Sequence, residues 1–389
     1  MRPVLALILH ASAPADAGPL VRALAEARRA LAERQRAAFM AAGADAAEIV
    51  AGPPDRLTFG ERLAAALRLR GTAVPGETGR ELPRDARGDG SGGLVVMGSG
   101  SIPLARPSDL RRFVEVAAGP DGHALTNNRY SGDVVAVSRA ADLAGLPPLP
   151  ADNALPRWLD ERAGVAVADL RRRWRLGVDV DSPLDLILLR DPAARDRLAT
   201  APLLGEGLAT ALLLGERLAA LADVTSNRRA ELLVAGRVSA GTLAWLERGV
   251  ACRVRALVEE RGLRAASTLA QSDGAGNSRP PRSILGELLD RDGPESLAAT
   301  VARLADAAII DTRVLLAHRL GSNDGAWPEP EDRYASDLLL PGSIADPWLR
   351  ALTASATTAD PSGPILLGGH TLVNGGLRLL AERARAGAR

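Results

Sequence analysis

Short apolar runs separated by amphipathic stretches set the rhythm of the first half of the chain. Val4–Leu9 is uninterruptedly apolar, the pattern of a strand buried on both faces. Gly18–Ala42 returns Ala and Leu at helical spacing with Arg and Glu between them, which predicts a long helix. Glu48–Val50 predicts a short strand ended by Gly52-Pro53-Pro54, and Phe59–Leu67 a helix. Gly71–Gly93 has no apolar period and is rich in Gly, Pro, Arg and Asp, so a loop is expected. Leu94–Met97 then reads as a central strand, and Pro107–Ala117 as a helix with Ser108 or Asp109 near its cap. Ala124–Thr126 and Val134–Val137 predict strands around a polar turn, Trp158–Ala163 a helix and Val178–Val180 another strand.

Alternating strands and helices over about 190 residues predict an α/β fold with a mostly parallel sheet flanked by helices. Ligands of such sheets collect at the carboxyl ends of the strands. The second half reads differently. Pro202–Ala222, Ala240–Arg261, Ile284–Asp290 and Ser296–Arg319 have helical patterns, Ala230–Val234 and Pro364–Leu367 read as strands, and Ser272–Pro281 is a polar loop. Two domains are expected: an α/β domain over 1–192 and a mainly helical one over 193–389. The boundary would lie near 190–202, with a linking helix starting at Asp191.

Composition narrows the chemistry. The chain has 389 residues, 47% of them hydrophobic and 24% charged, with a formal charge of +1. That balance offers no general positive field for a nucleic-acid partner. All 48 basic residues are Arg, which excludes a Schiff-base lysine and a P-loop lysine. Phosphate contacts would fall to Arg, backbone N–H groups or a metal. The single Cys252 reads as a small buried hydrophobe on a helix, and a chain without stabilising disulfides fits a reducing cytoplasm. No uncharged run reaches membrane-spanning length: Leu203–Val224 carries Glu206, Glu216, Arg217 and Asp223. Met1–Ala13 mimics a signal peptide, but its apolar core is short and reads better as a first strand.

Three stretches carry candidate chemistry. Ser99-Gly100-Ser101 closes the run Leu94–Gly98 and is followed by Pro103-Leu104; it reads either as a phosphate loop or as a tight strand-to-helix turn. Asn127-Asn128-Arg129-Tyr130 offers amides and a guanidinium for a base or an acceptor, or else a polar hairpin turn. Asp179 and Asp181 flank Val180, so a regular strand would place both carboxylates on one face. They are expected to hold Mg²⁺ with Asp133 entering from a neighbouring strand, against an alternative in which Asp181 and Ser182 cap the next helix. In the second half, Gly368-Gly369-His370 precedes a helix and could hold an anion, although Gly-Gly turns are common. His318 and His370 are too isolated to read as metal ligands.

These stretches, with Phe59–Leu67 and Pro103–Leu110, resemble the GT-A-like nucleotidyltransferase superfamily, which includes molybdenum-cofactor and phospholactate guanylyltransferases. Gly177-Val178-Asp179-Val180-Asp181-Ser182-Pro183-Leu184-Asp185-Leu186 is the nearest match, and the resemblance covers roughly the first half of the chain. It implies binding of a nucleotide or nucleotide-sugar with Mg²⁺ and transfer to a small-molecule acceptor, while charge balance and hydropathy lead to the expectation of no nucleic-acid or membrane partner. The nucleotide would sit on Ser99, Gly100, Ser101, Asn127, Asn128 and Arg129, and the metal on Asp133, Asp179 and Asp181. Two family features are replaced here. The Gly-rich Arg/Lys loop is His10–Gly18, without Arg or Lys, and the acidic ligand after the central strand gives way to Ser99-Gly100-Ser101. A catalytically degenerate nucleotide- or partner-binding protein and a nucleotide-sugar glycosyltransferase therefore stand beside the nucleotidyltransferase. The second half would cover the site or form a homodimer surface.

Overall fold

The computed structural model describes residues 2–52, 57–68, 92–149, 152–189, 207–260, 281–322 and 324–387. The loop expected over 71–93, the linking helix from 191 and the polar loop over 272–281 fall almost wholly outside these residues. Contacts divide the chain into two compact units, 1–14 with 25–179 and 15–24 with 180–389.

The first unit is built on a six-stranded sheet of order β2-β1-β3-β5-β4-β6. The strands are β1 (Val4–Ala11), β2 (Ala46–Gly52), β3 (Gly93–Gly98), β4 (His123–Thr126), β5 (Val134–Val137) and β6 (Ala166–Asp169). β1 pairs in parallel with both β2 and β3, and β4 with β6; only β5 runs antiparallel to its neighbours. The expected mostly parallel sheet is what forms. Helices α1 (Pro19–Ala41), α2 (Phe59–Arg68), α3 (Pro107–Ala117) and α4 (Leu155–Glu161) accompany it. On one face Val4, Ala6 and Ile8 of β1 meet Val95 and Met97 of β3, with Phe39 and Phe113 wholly buried against them. Leu7 is buried on the other face. Burial on both sides is why these strands read as unbroken apolar runs.

One predicted element differs, and one strand of this unit was not predicted. Val178–Val180 is not a strand; Asp179 makes a single antiparallel bridge with Ser101. β6 has no strong sequence signal, being a four-residue edge strand that alternates exposed and buried positions.

In the second unit the expectation of a mainly helical domain needs correcting in its architecture. Helices outnumber strands, but they surround a wholly parallel four-stranded sheet of order β10-β9-β7-β8. Its strands are β7 (Glu231–Gly236), β8 (Arg253–Val258), β9 (Ala307–Asp311) and β10 (Ile365–Gly368). The helices are α5 (Pro183–Leu189), α6 (Gly207–Ser226), α7 (Ala240–Gly249), α8 (Ile284–Asp292), α9 (Leu297–Ala302), α10 (Thr312–Leu320), α11 (Pro330–Asp337), α12 (Pro347–Thr358) and α13 (Leu377–Gly387). β9 interrupts the run read as one helix over Ser296–Arg319. Its five residues Ala307-Ala308-Ile309-Ile310-Asp311 are all buried, so no two-residue alternation marks it. β8 interrupts the helix read over Ala240–Arg261, which ends instead at Gly249. Cys252 lies in the turn between them, buried, and burial pushes its thiol up to about 11.

Candidate functional site

The carboxyl ends of β1 and β3 bring together two of the three stretches that the sequence singles out. β3 hands the chain to Ser99, whose N–H donates to the Leu9 carbonyl at 2.9 Å. Its hydroxyl lies 3.0 Å from Nδ1 of His10, both groups buried. Gly100 follows, and Ser101 bridges to Asp179 while its carbonyl accepts from Gln35 of α1. Ile102 then takes φ +44°, an uncommon conformation for a β-branched residue, with its side chain wholly buried. The turn is therefore held in a strained shape by core packing under it.

Arg28 and Arg29 of α1 put positive charge near His10. His10 titrates below its ordinary value, first because it is buried and then because Arg29 and Arg28 of α1 oppose a second positive charge. A neutral imidazole, two small hydroxyl side chains and a positive potential suit an anion.

The stretch at 127–133 takes the turn-forming role. Asn127 is buried and its amide is consumed internally: Nδ2 donates to Asp133 Oδ2 (2.7 Å) and to the Leu176 carbonyl (2.8 Å), and Oδ1 accepts from the Asp133 N–H (2.9 Å). Asn128 Oδ1 accepts from the Tyr130 N–H at 3.1 Å, a local Asx turn. Arg129 pairs with Asp160 and lies 5.8 Å from the Tyr130 ring centre. Asn127→Ala is expected to cost about 1–3 kcal/mol by orphaning these buried groups. Urea unfolding of the variant checks this, and an unchanged midpoint would remove Asn127 from the framework.

The third stretch divides. Asp179 belongs to the first unit and Asp181 to the second. The cap on α5 is made by neither. Asp185 Oδ2 accepts from the Ser182 N–H at 2.7 Å and the Asp181 N–H at 2.9 Å, while Asp181 itself is exposed. Asp185 stands in the sequence reading only within the 177–186 resemblance, with no capping role read for it. A carboxylate three residues after Ser182 is the capping signal that would have found it.

Asp133, Asp179 and Asp181 do not form a ready metal cage. Among the described residues no group of three or more His, Cys, Asp or Glu gathers to hold an ion. His318 is likewise structural: Nδ1 accepts from the Ser283 N–H at 3.1 Å and Nε2 lies 3.1 Å from Asp290 Oδ2. Among the described residues no helix is long and apolar enough to cross a membrane. Comparison with protein-family models, with curated proteins and with solved structures gives no match for this chain.

Proposed function

We propose that the first unit binds a nucleotide through its phosphates at the carboxyl ends of β1 and β3, in the manner of a nucleotidyltransferase. The observation that carries this reading is the Ser101–Asp179 bridge. It sets one carboxylate beside a Ser-Gly-Ser turn at the edge where parallel sheets take ligands. The positive potential of Arg28 and Arg29 supports it.

The donor set fits a metal that arrives with the nucleotide better than a resident one. Mg²⁺ keeps several waters and is commonly held by one or two carboxylates together with substrate phosphates. Asp179 is the carboxylate that this unit offers beside the turn, and the ion would supply charge neutralisation at the leaving group. Around it the chain binds and orients: Ser99, Gly100 and Ser101 receive phosphate oxygens, and neutral His10 holds the Ser99 hydroxyl. An acceptor oxygen would attack the α-phosphorus, and pyrophosphate would leave as the α–β phosphoanhydride bond breaks. The thin carboxylate supply favours a second reading, a nucleotide-binding protein that has lost transfer.

Thermal unfolding with a panel of nucleoside triphosphates, with and without Mg²⁺, separates the readings. At a hundred times the dissociation constant, a bound nucleotide adds about 2.7 kcal/mol of stability. The Mg²⁺-dependent part should fall at least tenfold in affinity in Asp179→Asn. Binding without pyrophosphate release across an acceptor panel supports the second reading, and no shift with any nucleotide overturns both.

A further inference from the structure

The second unit has a topological switch point of its own. In the order β10-β9-β7-β8 the chain crosses over from β7 to one side and from β9 to the other, so the gap between β7 and β9 is a topological switch point. Ligands of open parallel sheets bind outside the carboxyl ends of the strands at such a point. Three helices start at this same edge. α7 follows β7 through Arg237, Val238 and Ser239, α10 follows β9 directly, and a helix entered at His370 follows β10 after Gly368 and Gly369. Their amino ends carry partial positive charge.

Asp311, at the tip of β9, lies at the middle of this edge. It is 1% exposed, and Oδ1 accepts from the Arg313 N–H at 3.1 Å. Oδ2 is buried and has no hydrogen-bond partner among the described residues. The side chain lies over the end of β7. Gly236 has φ +131°, and a β-carbon there would collide with the Asp311 β-carbon and come 3.3 Å from its carboxyl carbon. The fold has thus kept Gly236 bare where the carboxylate crosses it. A buried carboxylate oxygen without a donor calls for one from a water or a ligand.

The turns after β7 and β10 are tied together across the tip of β9. Asn374 Oδ1 accepts from the Ser239 N–H and the Thr242 hydroxyl, each at 2.8 Å, and Nδ2 donates to the carbonyls of Arg237 (3.1 Å) and His370 (2.9 Å). Arg237 Nε is 3.3 Å from His370 Nδ1. Asn374 sits in a π-helical turn, Leu372–Gly376, a rare conformation that recurs at functional sites. Arg237, Gly369 and His370 are half-buried, so the edge opens to solvent beside them. A guanidinium, an imidazole and the amino ends of helices gathered at one edge suit an anion, and the buried carboxylate behind them suits a hydroxyl.

We propose that this edge of the four-stranded sheet is a ligand site for a small hydroxylated phosphate ester of the phosphosugar or phosphoglycerate class. Asp311 Oδ2 accepts a ligand hydroxyl, and Arg237 with the turn at Gly369-His370 receives the phosphate. The site lies wholly within the second unit and is independent of the nucleotide site proposed for the first.

Calorimetry on the full chain with ribose 5-phosphate, 3-phosphoglycerate, ribose and inorganic phosphate tests this. At least one ester should bind tenfold or more tighter than inorganic phosphate, and ribose alone should bind weakest. Asp311→Asn keeps the helix cap and should reduce ester binding to the level of inorganic phosphate. Arg237→Ala should weaken both ester and phosphate at least tenfold. Equal affinity for ester and inorganic phosphate, or wild-type ester binding by Asp311→Asn or by Arg237→Ala, would overturn the assignment. So would absence of binding by either ester.

Discussion

Arg313→Leu is expected to destabilise the second unit by about 3–5 kcal/mol, because it strands a buried carboxylate. Arg313 and Asp337 are both buried. The guanidinium makes a two-pronged contact with the carboxylate, with Nη2 2.6 Å from Oδ2, and Nη1 also reaches the Thr312 hydroxyl at 2.7 Å. Burial works against the Arg313 charge, but Asp337 in direct contact outweighs it and holds the guanidinium protonated well above its ordinary range. Removing one partner leaves the other without its counter-charge, whereas removing both leaves only a packing change. Arg313→Leu with Asp337→Leu should therefore recover much of the loss. Hydrogen exchange of the β9 and β10 amides reads the effect locally. A single variant as protected as the wild type would show that the pair contributes nothing to this unit.

The second large effect depends on pH. Burial, and then the charge of Asp181, raise the Asp185 carboxyl to about 7 from an ordinary 3.8. The folded chain thus holds this proton more tightly than the unfolded chain does. Its contribution is fully present below about pH 4, declines as pH rises toward 7 and is absent above it. At 1.36 kcal/mol per unit, the span is on the order of 4 kcal/mol. Asp185→Asn keeps a side-chain oxygen to accept from the N–H groups of Ser182 and Asp181, but carries no charge. The variant should be more stable than the wild type by about 2–4 kcal/mol at pH 8 and equal to it at pH 4. Urea unfolding at the two pH values checks this, and parallel pH profiles for the two proteins would refute it.

Much of the first unit was legible because β1, β3 and β5 are buried on both faces and its long helix keeps a helical period. β1, β2, β3, β4 and β5 fall where apolar runs predict them. The Ser101–Asp179 bridge was not legible, because Asp179 reads as the middle of a strand at Val178–Val180 that does not form. The role of Asn127 was not legible, since an amide that recognises a base and one that braces a hairpin look the same in sequence. The second unit hid more. β9 is a buried Ala/Ile strand inside an Ala-rich stretch, where strand and helix give the same apolar run. Missing β9 left Asp311 inside the supposed helix over Ser296–Arg319, not at a strand tip, so the edge it shares with Gly236 and His370 went unseen. Arg313 and Asp337 lie on different helices, and only the fold pairs them.

Cys252 gives the second unit an internal reporter of its own opening. It is the only thiol in the chain, it sits at the entrance to β8, and burial keeps it from ionising at neutral pH. A thiol reagent can reach it only when the turn after α7 opens, so its labelling rate tracks that event with no engineered probe. Because the chain contains no second cysteine to confuse the signal, the breathing of this one sheet edge can be timed in the unaltered protein.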